Sequence, residues 1–115
     1  MSFRTVKHRT DFMFQYERRL LAVLDRLCIK YYSPWRPPDY PIRKGYGSGF
    51  ITYLPDYNLG IVFNGKYRTG GLGTYKRKLL EARDAWYKER GITMLYFDWR
   101  TDQATMELMI RRRIK

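Results

Sequence analysis

Apolar residues in this chain follow a helical period in some segments and a strand period in others, and the order of these segments restricts the fold. Residues 11–28 carry apolar side chains at helical spacing and predict a first helix with one apolar face. That face consists of Met13, Phe14, Leu20, Leu21, Leu24 and Leu27. Strands are predicted at residues 29–32, 50–54, 57–66 and 92–97, and further helices at residues 74–90 and from Thr101 or Asp102 onward. The order α-β-β-β-α-β-α predicts an α/β domain with a mixed central sheet flanked by helices.

Turn residues set the predicted boundaries between these segments. Proline lacks the backbone donor that a sheet requires, so Pro34 is expected to end the first strand. Residues 58–60, Asn-Leu-Gly, predict the reversal between the second and third strands, which would bring Asp56 across from about Phe63 and Asn64. Gly91 predicts the end of the second helix. The inner face of that helix is predicted to consist of Tyr75, Leu79, Ala82 and Trp86.

The chain is strongly basic. Its 115 residues, the length of one domain, contain 23 Lys and Arg against 11 Asp and Glu, a formal net charge of +12. Such a field favours a polyanionic partner, usually nucleic acid; a merely basic soluble protein is the alternative. Residues 1–10 are expected to form a basic N-terminal arm. Phosphate contacts, which give affinity without sequence specificity, are expected from Lys66, Arg68, Lys76, Arg77, Lys78, Arg83, Arg111, Arg112 and Arg113.

Cysteine, histidine and hydropathy exclude several classes of protein. Cys28 is the one cysteine and cannot form an intramolecular disulfide, and the one histidine, His8, argues against a Ser-His-Asp or Cys-His apparatus. No apolar run approaches the ~20 residues that a transmembrane helix needs. We therefore expect a soluble protein of a reducing compartment without a membrane partner.

Asp56, Asn64 and Lys66 form a candidate metal site. Phosphodiester cleavage uses a hard cation such as Mg²⁺ held by oxygen ligands, and a nearby lysine can stabilise the charge that develops on the phosphate. Residues 64 and 66 are two apart and project from the same face of a strand, where Asp56 would meet them across the predicted hairpin. In the alternative, Asn64-Gly65 is itself a hairpin turn and Lys66 faces solvent.

Glu17 gives a second indication of a site, because it lies on the apolar stripe of the first helix between Phe14 and Leu20. A buried carboxylate needs a cation, a metal or strong donors to offset its desolvation. Delivery of Glu17 to a metal cluster would satisfy it. The alternative is a structural pair with an arginine or with backbone donors.

Three stretches of the chain resemble the phage endonuclease I family of four-way (Holliday) junction resolvases, within the PD-(D/E)xK nuclease superfamily. Residues 14–35 are similar to that family's N-terminal helix, with its glutamate, and following strand. Residues 52–59, T-Y-L-P-D-Y-N-L, resemble its T-Y-x-P-D-F-x-L segment, and residues 61–66 lie where it has an apolar strand ending in E-x-K. Residues 81–97 resemble the helix and strand that follow the active site in the superfamily.

The resemblance implies a restriction-endonuclease-like fold and Mg²⁺-dependent cutting of branched or duplex DNA, with Mn²⁺ as a substitute. It also implies a homodimer with two sites and a phage-encoded protein in the bacterial cytoplasm. By matching position it assigns Glu17, Asp56 and Lys66 to the active site and Asn64 to the place of the second carboxylate. Glu17, Asp56 and Asn64 would then be the metal ligands.

Asn64 departs from the family pattern, because an amide removes one negative charge from the cluster. Three explanations are open: an engineered replacement of aspartate by asparagine at position 64, a binding-only descendant of the family, or a different register in which Asn64 occupies a turn. The rival function is a non-catalytic module that binds DNA or structured RNA. Its aromatic surface, on which unpaired bases would stack, is predicted to include Tyr31, Tyr32, Trp35 and Tyr46.

Overall fold

The computed structural model describes residues 15–41, 49–63 and 74–114. This part of the chain contains three helices and four strands in the predicted order, so the α/β class is confirmed. The elements are α1 (Gln15–Arg26), β1 (Tyr32–Trp35), β2 (Ile51–Leu54), β3 (Leu59–Phe63), α2 (Thr74–Glu89), β4 (Thr93–Phe97) and α3 (Gln103–Arg113).

The four strands form one mixed sheet in the order β1-β2-β3-β4. Neighbours are antiparallel from β1 to β3, whereas β4 runs parallel to β3 after the crossover through α2. Two ends of the sheet follow from this topology. The carboxyl end is where β3 and β4 finish at Phe63 and Phe97 and where β2 begins at Ile51. The turn end is where residues 55–58 join β2 to β3.

Helices cover both faces of the sheet. On one face, α1 and α3 pack against Leu54, Ile61 and Leu95, while on the other face α2 packs its Tyr87 against a cluster that includes Val62 and Met94. Successive strand residues enter opposite clusters, as the two-residue period of a strand requires. Within α1, the predicted leucine stripe is confirmed for its described part, where Leu20, Leu21 and Leu24 are buried.

The two helices on the first face run side by side in the same direction. The Gln103 side chain donates to the Arg19 carbonyl at 3.2 Å, and Arg26 donates to Glu107 at 2.9 Å. Asp102 caps α3 by accepting from the Thr105 N–H at 2.8 Å, as predicted. Helix α3 starts beside the last residues of β4, at the carboxyl end of the sheet. Its basic C-terminus is ~16 Å from that start along the helix axis and lies toward the turn end.

The first strand lies three residues later than predicted. After Cys28, which takes a left-handed φ of 58°, the Ile29 N–H bonds to the Leu24 carbonyl and closes the helix. Ile29 and Tyr31 then fill the core without joining the sheet. Pro34 lies inside β1, contrary to prediction, and is tolerated there because β1 pairs with β2 alone and so forms an outer strand.

The reversal between β2 and β3 also differs from the prediction, which placed it at residues 58–60. The turn consists of residues 55–58, with the Tyr57 N–H bonded to the Leu54 carbonyl at 3.2 Å. Asn58 takes a left-handed φ of 50°, and its side chain bonds to the Tyr53 hydroxyl and the Gly91 carbonyl. Proline suits the start of such a turn because its ring fixes φ near the value required there, and asparagine suits its end because it tolerates the left-handed conformation. The predicted pairing of Asp56 with Phe63 is therefore wrong.

Helix α2 is rotated by about one residue from its predicted orientation. Its buried side chains are Leu80, Arg83, Asp84 and Tyr87. Ala82, expected inside, is exposed. Hydropathy predicts that charged residues lie on the exposed face of a helix. Here the Arg83–Asp84 pair is buried, and the buried face of α2 differs from the predicted one for this reason. In the described part of the chain, no helix has both the length and the apolar character needed to cross a membrane.

Candidate functional site

A cleft with a volume of about 170 Å³ opens at the carboxyl end of the sheet. It has room for a phosphate-sized group or a few waters, since a water occupies ~30 Å³ in the liquid. Side chains from α1, all three antiparallel strands and α2 converge on it. The lining residues are Tyr16, Glu17, Ser33, Pro34, Phe50, Ile51, Thr52, Ile61, Val62, Phe63 and Arg83.

Glu17 reaches this cleft from the first turn of α1 and is partly buried. The neighbouring Tyr16 packs on Phe63, with ring centroids 4.7 Å apart, and so fixes the start of α1 against the end of β3. Among the described residues that line the cleft, Glu17 is the one acidic side chain. The sequence prediction that helix α1 delivers a carboxylate to a site is consistent with this position.

Two buried hydroxyl groups contribute to the cleft wall formed by β1 and β2. Ser33 and Thr52 lie on these neighbouring strands, and their side-chain oxygens are 2.8 Å apart in a hydrogen bond. Neither residue was predicted from the sequence to belong to a site. The available signal was a serine and a threonine inside apolar strands, where burial requires such groups to find partners.

Arg83 brings a buried positive charge to the same cleft. Its Nε and Nη2 atoms donate to one oxygen of Asp84, at 3.1 and 3.0 Å, and both side chains are less than one tenth exposed. A guanidinium has five N–H donors, so the two bonds to Asp84 do not use all of them. Arg83 was predicted to contact phosphate. Its side chain is buried beside Asp84 and lines the cleft, and the phosphate contact stays a prediction.

Asp56 lies away from the cleft. It is exposed in the turn at residues 55–58, at the turn end of the sheet, and it does not line the cleft. The whole length of β3, ~13 Å from Leu59 to Phe63, separates that turn from the cleft. The predicted convergence depended on a reversal at residues 58–60, which the strand register contradicts. Asn64 and Lys66 lie outside the described residues.

Gly49 lies before β2 at the carboxyl end of the sheet, in a position that does not accept a side chain. The chain enters β2 through Gly49 and Phe50, at the same end of the sheet as Phe63. Gly49 has a φ of +92°, and a Cβ atom added there would lie 2.6 Å from the ring of Tyr40. The Tyr87 hydroxyl also holds the Gly49 carbonyl by a hydrogen bond. A side chain at this position would therefore be strained and sterically blocked.

Metal-ligating residues are sparse in the described ranges 15–41, 49–63 and 74–114, where no group of three His, Cys, Asp or Glu side chains could hold an ion. Mg²⁺ needs only one or two protein carboxylates, so Glu17 alone fits part of such a site. Its completion would depend on residues 64–66, outside the described part.

The predicted nucleic-acid contacts fall on two separate surfaces. Arg77 and the exposed Lys78 lie near the start of α2, on the same helix that brings Arg83 to the cleft. The second group lies toward the turn end and consists of Arg111, Arg112 and Arg113. Arg111 is paired with Glu107 at 3.0 Å. Lys66, Arg68 and the side chain of Lys76 lie outside the described residues.

The predicted aromatic surface is wrong for two of its members. Tyr31 is fully buried in the core, and Trp35 stacks on Tyr53 with ring centroids 4.1 Å apart. Tyr32 is partly buried, and Tyr46 lies outside the described residues. Tyr31 and Trp35 lie in a strand-like stretch of sequence, which is as typical of core packing as of ligand stacking. In the structure both side chains pack against other residues of the protein.

No protein-family model matches this chain, and comparisons with curated proteins and with solved structures found no significant match. The resemblance to the endonuclease I family remains a prediction from the sequence.

Proposed function

We propose that this chain binds nucleic acid, with a backbone phosphate in the cleft at the carboxyl end of the sheet. Arg83 is the observation that carries the proposal. Its guanidinium is buried at the cleft, and the bonds to Asp84 use only its Nε and Nη2 sides. A buried guanidinium with donors left over suits an anion, because charge-assisted hydrogen bonds to phosphate are strong where water is excluded.

The overall charge supports a polyanion in preference to a single small anion. Even if every Asp and Glu neutralised one cation, a surplus of 12 positive charges would remain. Lys78 and Arg77 lie on the helix that carries Arg83, ~8–9 Å nearer its start, and they add two cations near the carboxyl end of the sheet. Phosphate contacts of this kind give affinity that falls steeply with salt.

The proposal is tested by measuring the affinity of fluorescent duplex and four-way-junction DNA in the presence of EDTA. Changing Arg83→Gln together with Asp84→Asn removes the buried pair without leaving one charge unpaired. Loss of one charged hydrogen bond, worth ~1.5–3 kcal/mol, predicts affinity at least about tenfold weaker. The control is Arg26→Gln with Glu107→Gln, which removes an exposed pair on the α1–α3 face. Unchanged affinity in the folded Arg83 and Asp84 variant would refute a phosphate at this place.

A second candidate function is the Mg²⁺-dependent endonuclease that the resemblance implies, acting on branched DNA as a homodimer. The observation that favours it is the position of Glu17, which lines the cleft together with Phe63, the last residue before Asn64. Glu17 and Asn64 would hold the metal, which when bound polarises the phosphate and lowers the pKa of an attacking water. Lys66 would stabilise charge on the phosphate.

Cleavage assays separate the two candidates. A four-way junction is incubated with Mg²⁺ or Mn²⁺ and the unchanged chain, the Glu17→Gln variant or the Asn64→Asp variant. If the protein is a nuclease, the unchanged chain or the Asn64→Asp variant cuts the junction. Adding Glu17→Gln to whichever form cuts should then abolish cutting. Asp56→Ala is the control, expected to cut normally because Asp56 lies at the turn end. Binding without cutting by any of these forms would eliminate the nuclease and retain the binding function.

A further inference from the structure

Exposed aromatic side chains lie at the end of the sheet that holds the cleft. The large hydrophobic side chains that stand out as exposed in the described part of the chain are Phe50, Tyr57, Trp99 and Leu108, each between 41% and 51% exposed. Phe50 and Trp99 both belong to the carboxyl end of the sheet, whereas Tyr57 lies in the turn at the opposite end. Single exposed hydrophobic residues are ordinary on a protein surface, so the significance of these two rings depends on where they lie and on the cations beside them.

Phe50 lines the cleft directly and enters the chain just before β2. The guanidinium carbon of Arg36 lies 4.1 Å from the centre of its ring. Phe50 thus combines an apolar surface that remains 41% exposed with an adjacent positive charge. The guanidinium lies over one face of the ring, so a nucleobase would stack on the other face and its phosphate would pair with the cation.

Trp99 repeats the same combination on the far side of β3. It follows β4, is 51% exposed, and has the guanidinium of Arg100 at 5.1 Å from its ring. Its backbone is held in place, since Arg19 donates to the Trp99 carbonyl at 2.9 Å and Asp98 accepts from the Arg100 N–H at 2.8 Å. A fixed backbone reduces the entropic cost of presenting the ring to a ligand.

The separation of these two rings can be estimated from the sheet. Phe50 extends β2 and is level with Phe63 and Phe97, whereas Trp99 lies two residues beyond Phe97. Two strand spacings, with up to ~7 Å along the strand direction, put the two backbones ~10–12 Å apart. About three stacked bases, at ~3.4 Å each, span this distance. The cleft with its buried Arg83 lies against Phe50. One strand can therefore contact both rings and place a phosphate in the cleft.

We propose that Phe50 and Trp99 are stacking platforms for unpaired bases, and that the ligand of this surface is single-stranded nucleic acid. The inference rests on the proposed nucleic-acid function and deepens it. In a duplex the faces of the bases are already covered by their neighbours, so isolated protein rings can stack only on unpaired bases. Arg36 and Arg100 then contact the phosphates beside the stacked bases.

The test compares three fluorescent probes by anisotropy: a short single strand, the same strand as a duplex, and a strand of equal length whose central sugars lack bases. The abasic strand keeps every phosphate and loses only the stacking partners. We expect the single strand to bind most tightly. Phe50→Ala and Trp99→Ala should each weaken its binding by about 5- to 100-fold and leave the abasic strand's affinity unchanged.

Tyr57→Ala is the matched control, because it removes an equally exposed aromatic ring at the turn end. The inference is refuted if the two ring variants weaken the abasic strand as much as the ordinary strand, or if Tyr57→Ala has the same effect as they do. It is also refuted, with the proposed function intact, if the unchanged protein binds all probes equally and loses them with salt. Absence of binding to every probe would overturn both proposals.

Discussion

Removal of the Tyr87 hydroxyl tests the geometry that fixes the mouth of the cleft. Tyr87 is fully buried, and its hydroxyl donates to the carbonyl of Gly49, the residue before Phe50. Tyr87→Phe keeps the ring and leaves that carbonyl without its donor. An unsatisfied buried group costs about 1–3 kcal/mol, which for a domain of this size corresponds to roughly 4–12 °C in melting temperature. Tyr57→Phe, at an exposed ring, should stay within about 0.5 kcal/mol.

Urea unfolding followed by circular dichroism measures this difference, and the slope against urea should be the same for all three proteins. Burial also raises the pKa of Tyr87 well above its ordinary value near 10. Because the folded-state pKa is the higher one, the stabilisation is complete below pH 10 and is lost as the pH rises toward the folded-state value. The advantage over Tyr87→Phe should therefore shrink above pH 10. A difference below about 0.5 kcal/mol at neutral pH would refute the fixed position of Gly49.

Two further predictions concern the stability of the fold. Gly49→Ala should destabilise the fold by more than about 2 kcal/mol, because a left-handed φ costs a non-glycine residue about 1–3 kcal/mol and the added Cβ overlaps the Tyr40 ring; equal urea midpoints would contradict this. Hydrogen bonds from Arg26 and Arg111 hold the pKa of Glu107 below its ordinary value. That stabilisation is present above the unfolded-state pKa and is lost as the pH falls through the folded-state value. Thermal scans should therefore show the advantage over Glu107→Gln at pH 7 shrinking by pH 3, and a constant difference would contradict it.

Periodicity predicted the elements whose packing is local. Leu20, Leu21 and Leu24 repeat at helical spacing, and the strand ending at Phe97 is a continuous apolar run, so both elements were found at nearly their observed positions. The misplaced elements depend on tertiary contacts. Pro34 is acceptable in β1 only because that strand lies at the sheet's outer edge, and Tyr31 belongs to the core because the helix closes at Ile29. Neither circumstance is visible from local sequence.

The candidate site was predicted in part. Glu17 was singled out because a charge on an apolar stripe is conspicuous; it lines the cleft, and its role as a metal ligand stays a prediction. Asp56 was misplaced because the reversal is at residues 55–58, so Asp56 lies in the turn itself and not on a strand opposite β3. The buried Arg83–Asp84 pair was missed, because two adjacent charges on an amphipathic helix resemble its solvated face until the neighbouring elements are known.

The salt dependence of binding tests the nucleic-acid function and its location together. Affinity for a DNA duplex is measured between about 50 and 200 mM salt for the unchanged protein and for two double variants of equal charge. Arg77→Gln with Lys78→Gln removes two cations from the helix at the cleft, and Arg112→Gln with Arg113→Gln removes two from the turn end. We predict a linear loss of log affinity with log salt, with a slope smaller by about 1.8 in the first variant and unchanged in the second. No binding at low salt, or a slope reduced only by the turn-end pair, would contradict the proposed cleft surface.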